Sequence, residues 1–202
     1  IYKVALANGI QVGVYFYSGA SNAREAYDEA SYCISLIRDY QITYPVAFDW
    51  ELDGDYDSVT EACETFCNVI SSYGYQPMVY SNRNRWYNNF DGEKIASKYK
   101  VWMAAYFGKF YYDSVRWTYG DELPNFRYHY DMWQYSSRCY VDGISGQVDV
   151  DIAFFGYANY HVDTKDAVLT VTNKEIKRTY GDGIGRLTEE LNLLDGVKGI
   201  NT

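Results

Sequence analysis

Histidine is nearly missing from this sequence: His129 and His161 are the two copies in 202 residues. A histidine-built metal centre or a Ser-His-Asp relay therefore has too little material, and no metal or cofactor is expected. Cysteine is sparse as well, at Cys33, Cys63, Cys67 and Cys139, and no CxxC pair occurs. That removes a zinc ribbon and a thioredoxin-type motif. Cys63 and Cys67 lie four apart in a helical stretch and so share a face, which suits small buried apolar residues. Spacing alone leaves open a bridge from Cys33 to one of them. No apolar run approaches the 18 residues of a membrane span. No GxGxxG or P-loop follows a strand-like run, so a nucleotide site has no support. Positive charge is short, with 18 Lys and Arg against 27 Asp and Glu, a net charge of −9 and a pI near 4.7. A nucleic-acid binder would normally be basic, so that class is set aside. The sequence from Ile1 shows no signal-peptide pattern and opens as though already inside a helix; the expectation is a chain cut at its N-terminus, with room for a signal in the missing piece.

Aromatic residues are what the sequence has in excess: 24 Tyr, 9 Phe and 5 Trp make up 19% of it. Such side chains offer flat surface with a polar tip, which suits carbohydrate sites. Strand-like and helical runs alternate. The strand-like runs are Ile10–Tyr17, Pro45–Trp50, Gln76–Ser81, Lys100–Ala105, Tyr130–Tyr135 and Gln147–Phe155. Helical patterns fill Ser21 to about Asp39, Ser58–Tyr73 up to Gly74, and a short stretch around Gly92–Lys98. Nearly continuous apolar strands with helices between them predict a parallel sheet covered on its outside. The expected fold class is therefore α/β, a modified TIM-like (β/α) barrel with six of eight strands visible, plus a C-terminal extension. After about Tyr160 the composition turns polar and charged. Residues 161–202 read as a linker or the start of a further module, with one β-like run at Ala167–Thr172 and an amphipathic helix through Ile184, Leu187, Leu191 and Leu194.

The chemistry concentrates in Phe48-Asp49-Trp50-Glu51-Leu52. Side chains alternate along a strand, so Asp49 and Glu51 share one face. They close an apolar strand at its C-terminal end, where α/β barrels hold their active sites. Two ionised carboxylates so close repel, and one can keep a proton near neutral pH. An acid beside a carboxylate is the equipment for cutting a glycosidic bond. Other strand ends carry groups suited to sugars: Tyr15–Ser18, Tyr80–Asn82, Trp102–Tyr106, Trp133–Ser137 and Val148-Asp149. Any one aromatic there is ordinary core; their joint placement at successive strand ends is the signal.

Taken in order, ALANGIQVGVYFYS, PVAFDWE, GYQPMVYSN, VWMAAY, WQYSS and GISGQVDVDIAFF resemble the glycoside hydrolase family 25 lysozymes, the Chalaropsis-type muramidases, over about Ile1–Phe155. The resemblance implies a barrel domain over 1–160 that cuts the β-1,4 bond between N-acetylmuramic acid and N-acetylglucosamine. Glu51 would be the proton donor, Asp49 its assistant, and Asp149 the acid of the last strand, with Asp151 where the family often has Asn. Tyr17, Tyr80, Trp102, Tyr106 and Gln134 would line the groove. The partner would be peptidoglycan glycan strands, and the site of action extracellular or at the cell wall, the protein being secreted or phage-encoded. A cell-wall-binding module after the tail would fit the same picture. The family's opening strand, with its own active-site Asp, and its second strand have no counterpart here, so an open seam is expected. The alternative is therefore an inactive glycan-binding or structural module on the same barrel. A chitinase-like reading fails because Pro45, Val46, Ala47 and Phe48 stand where a DxxDxDxE run is needed. Peptidoglycan is itself anionic, so at net −9 the protein gains nothing from long-range steering and must bind by stacking and hydrogen bonds, or through a separate wall-binding module.

Overall fold

The computed structural model describes residues 2–54, 57–118 and 120–155, together with the backbone of strands at 167–171 and 197–201. A short helix, α1 (Tyr2–Ala7), leads into β1 (Val14–Ser18). Helix α2 (Ala23–Ile37) starts where Asn22 accepts the Glu25 N–H, while the Glu25 carboxylate reaches back to the Ser21 N–H at 2.8 Å. Two otherwise orphaned donors are thereby satisfied. Its Ala26, Ala30, Cys33, Ile34 and Ile37 are buried. Strand β2 (Val46–Trp50) is buried at every residue. Helix α3 (Val59–Ser72) buries Val59, Ala62, Cys63, Phe66, Cys67 and Ile70. It ends at Gly74, whose φ of +83° is open to glycine at little cost. Then follow β3 (Pro77–Asn82), α4 (Arg83–Asn88), α5 (Gly92–Ala96), β4 (Lys100–Ala104), α6 (Gly108–Tyr112), β5 (Met132–Cys139) and β6 (Val148–Ala153).

The six strands form one curled sheet in the order β1-β2-β3-β4-β5-β6. β1 to β5 run parallel, with Val14 opposite Val46, Val46 opposite Pro77, Met78 opposite Lys100 and Trp102 opposite Met132. β6 departs from the expected parallel sheet: it lies antiparallel to β5. The connection from Cys139 to Val148 is long enough for a turn but not for the crossover a parallel neighbour requires. β1 is also shorter than the run from Ile10 suggests. Its partner strand begins only after Pro45, which has no N–H to give a ladder. At Gly13, just before β1, a Cβ would stand 2.6 Å from the Pro45 carbonyl oxygen, so only glycine lets the two segments approach so closely.

Helices α2 and α3 cover the convex face of the sheet, where Phe66 of α3 packs with Phe48, Trp50 and Val79 in one buried cluster. Phe48 and Phe66 rings meet at 5.1 Å, and Phe16 joins Phe66 at 5.9 Å. Two of the three fully buried indoles are satisfied by backbone, Trp50 donating to the Ala20 carbonyl and Trp133 to that of Ala105, while Trp86 Nε1 has no partner among the described residues. All four cysteines are buried and unbridged, so the Cys33 link left open by spacing does not form. On the concave face, near the N-terminal strand ends, Tyr15, Ala47, Met78 and Met132 line an apolar hollow of about 180 Å³.

A second, two-stranded antiparallel sheet joins β7 (Ala167–Val171) to β8 (Val197–Asn201). The β-like run at Ala167–Thr172 is thus a strand, and β8 has no counterpart in the sequence pattern. The helix anticipated through Ile184–Leu194 and the boundary near residue 160 lie outside the described residues.

Candidate active site

Register alone assembles a row of side chains across the concave face. Tyr17 of β1 stands opposite Asp49 of β2, Asp49 opposite Tyr80 of β3, and Tyr80 opposite Trp102 of β4. Gln134 of β5 pairs with Ala104 on one side and Asp151 of β6 on the other. Strands sit about 4.8 Å apart, so the row spans the sheet without a gap. Its members interlock. The Tyr80 hydroxyl donates to Gln134 Oε1 at 2.8 Å, and Tyr106 donates to the same oxygen. The Tyr80 and Trp102 rings meet edge to face at 4.6 Å. Trp102 Nε1 donates to Asp151 Oδ1 at 2.7 Å. Tyr106 in turn stacks on Tyr111 at 5.2 Å.

Asp49 is the most confined acid of this row, 7% exposed, and its Oδ1 has no hydrogen-bond partner among the described residues. Burial first, and the Glu51 charge second, push its carboxyl up to about 7. Glu51 lies one residue beyond β2, half-buried, within electrostatic reach of both Asp49 and Tyr80. Near neutrality burial thus favours the protonated form of Asp49.

Asp149 is exposed on β6 and its electrostatic neighbours are Asp151 and Tyr106. Tyr17 stands at the sheet's outer strand, 59% exposed. Of the residues singled out in the sequence, Asp49, Glu51, Tyr80, Trp102, Tyr106 and Gln134 form the centre, and Tyr17 and Asp149 flank it. Two further contributors had no role assigned from the sequence: Asp151, noted there only for standing where the family often has Asn, and Arg85. Asp151 is pushed up to about 7 by burial, against the Trp102 hydrogen bond and with the Asp149 charge adding to the rise. Its period-two spacing from Asp149 was the available signal. Arg85, on α4, donates from Nη2 to the Glu51 carbonyl at 2.7 Å and from Nε to the Leu52 carbonyl at 3.0 Å, and pairs with Asp53 at 2.8 Å. No local pattern announces that clamp, because its partners lie more than thirty residues upstream.

A carboxyl pair at the C-terminal end of a central parallel strand, in an aromatic trough, is what the comparisons with known proteins bear on. Residues 1–144 match the profile of the glycosyl hydrolases family 25. The chain belongs to that family. It is 29% identical over 137 residues to the lysozyme of Streptococcus phage Cp-1, covering 63% of this chain and 37% of that protein. The autolytic lysozyme of Clostridium acetobutylicum is 25% identical across the whole of this chain and 56% of its own length. Among solved structures, the CTP1L endolysin superposes with a TM-score of 0.60 at 26% identity, over 75% of this chain and 50% of that one. The family 25 chain thus spans between about a third and somewhat over half of these relatives. Its curled six-stranded sheet is a half-barrel consistent with the TIM-like fold of the family.

Proposed function

We propose that this family 25 chain is the hydrolytic part of a peptidoglycan lysozyme, cleaving the β-1,4 bond between N-acetylmuramic acid and N-acetylglucosamine. The observation that carries the reading is the Asp49–Glu51 pair, with the Asp49 carboxyl pushed up to about 7 chiefly by burial, in a trough floored by Tyr80 and Trp102. Relatives named lysozyme and autolytic lysozyme, and a neighbour named endolysin, support it. In the free protein burial favours the protonated form of Asp49. An N-acetyl N–H facing the partnerless Asp49 Oδ1 would favour the ionised form of Asp49. Glu51 then protonates the leaving oxygen, and Asp49 steadies the amide as its carbonyl oxygen closes on the anomeric carbon. Tyr17, Tyr80, Trp102, Tyr106 and Gln134 hold the sugar rings by stacking and hydrogen bonds, and Asp149 stands at the rim.

The proposed domain division is 1–160 for the hydrolase and 161–202 for a linker or the start of a wall-binding module. The place of action is the bacterial cell wall, reached by secretion or from a phage.

Glu51→Gln tests the assignment. It should lower wall lysis roughly 100- to 10,000-fold while leaving the circular dichroism spectrum unchanged. The first product of the unaltered enzyme should keep the anomeric configuration of the substrate. An inverted first product sinks the amide-assisted route, and full activity in the variant sinks the role of Glu51.

A further inference from the structure

Helix α4 has two working faces. One carries Arg85 to the loop that holds Glu51. Another carries Arg83 and Tyr87, four apart, toward the segment 125–128. There the side chains of Arg83, Tyr87, Asn125 and Arg127 line a recess of about 450 Å³. The Arg127 guanidinium lies 5.0 Å from the centre of the Tyr87 ring and 5.9 Å from that of Tyr128. The Arg127 N–H donates to the Tyr87 hydroxyl at 3.0 Å, and Arg83 Nη1 approaches the Asn125 carbonyl at 3.4 Å. Tyr87 itself stacks on Phe126 at 5.6 Å. The recess is thus a stiff aromatic shelf with two guanidinium groups at its mouth.

Several cations of the molecule are matched to a carboxylate, and Arg83 and Arg127 are among those that are not. Lys94 and Lys98 face Glu64, Lys100 faces Asp131, Lys109 faces Asp121 and Arg85 faces Asp53. Among the described residues neither Arg83 nor Arg127 has a carboxylate within 4.0 Å, and no acid lines the recess. Two planar donor forks without an anion, in a chain of net charge −9, make a local site for one. Arg83 is the first residue after β3, so the recess opens at the same end of the sheet as Asp49, roughly one helix diameter, about 10 Å, from the Glu51 loop.

We infer that Arg83 and Arg127 form an anion-binding subsite that takes a carboxylate of the peptide borne by the glycan strand. This rests on the muramidase reading for the polymer concerned. A glycan lying in the trough would place its lactyl-linked peptide off the sugar axis, and the recess is the cationic surface beside that trough. Bidentate contacts from the two guanidiniums would hold the carboxylate, with the Asn125 amide beside it. The subsite also answers how an acidic enzyme engages an acidic polymer: attraction is confined to one short-range pocket.

The test compares the unaltered protein, the Arg83→Gln/Arg127→Gln double variant and the Arg83→Lys/Arg127→Lys double variant on three substrates. These are whole wall, wall stripped of phosphodiester polymers by hydrofluoric acid, and stripped wall whose carboxylates have been amidated with ammonia and carbodiimide. The expected result is a KM about tenfold higher for the Gln variant on stripped wall, with kcat held, and no difference between the proteins on amidated wall. The Lys variant should recover part of the loss. Equal KM for the unaltered protein and the Gln variant on stripped wall overturns the inference. A loss seen on whole wall that vanishes on stripping assigns the recess to phosphate and overturns the carboxylate. Sedimentation of each protein with the insoluble walls on ice gives a readout independent of cleavage. If the unaltered protein cuts none of the substrates, the muramidase reading fails, and the subsite stands or falls on whether amidation releases the unaltered protein from the pellet and leaves the Gln variant unmoved.

Discussion

Asp49 couples the site to the stability of the fold. In an unfolded chain its carboxyl titrates near about 3.9. In the folded protein burial and the Glu51 charge move it to about 7. The folded state therefore binds this proton more tightly, and the stabilisation is whole below about pH 4 and lost as pH rises through 7. Asp151 acts in the same direction over the same window. Asp131 acts in the opposite direction. Burial alone would raise it, but hydrogen bonds from His129, the Val101 N–H and Lys100 outweigh that and hold it low, so its contribution is lost as pH falls. Asp49→Asn removes a charge that is costly only when ionised. Its Tm should exceed that of the unaltered protein by roughly 5 °C at pH 8, and the gap should close by pH 4, as differential scanning calorimetry would show. A constant gap across that range would mean that Asp49 is not the titrating group.

At the scale of elements, α4 supports β2 through Arg85. The loop after β2 carries Glu51, and two of its carbonyls accept from one guanidinium. Arg85→Ala should leave Tm within a few degrees and lower kcat for wall lysis roughly 10- to 100-fold with little change in KM, because the acid is displaced rather than removed. Arg85→Lys should restore little, since one ammonium cannot span both carbonyls. A rise in KM with kcat unchanged would place Arg85 in substrate binding instead. Here the limits of sequence reading are also visible. The six strands and the pairing of Asp49 with Glu51 were legible because period-two alternation and a run such as Val46–Trp50 are local signals. Helices α4 and α6 were not, since each spans five or six residues and its aromatic content reads as irregular chain. The reversal of β6 was hidden because direction depends on the connection, not on the strand's own residues. Long-range contacts such as Trp102 with Asp151, or Arg85 with Glu51, exist only once strands are in register.

For the whole molecule, the sheet order gives the interior and margins different fates. β2, β3, β4 and β5 are paired on both sides, and β1 is paired, among the described residues, only with β2. Tyr15 and Tyr17 of β1 are 66% and 59% exposed, whereas Phe48, Trp50 and Val79 are fully buried. Hydrogen exchange on this chain should find the amides of β2 and β3 slowest, opening only with global unfolding, and those of β1 faster by at least about tenfold. Equal protection of β1 and β3 would show that the outer strand is covered.

The strands of the main sheet also stand beside one another in the order in which they leave the ribosome. Each new strand therefore finds its partner already made and closes a loop of only a few tens of residues, so little chain entropy is lost at any step. A sheet laid down this way can grow during synthesis by adding to one margin, with Asp49 and Glu51 fixed early and the aromatic wall of the trough raised beside them afterward.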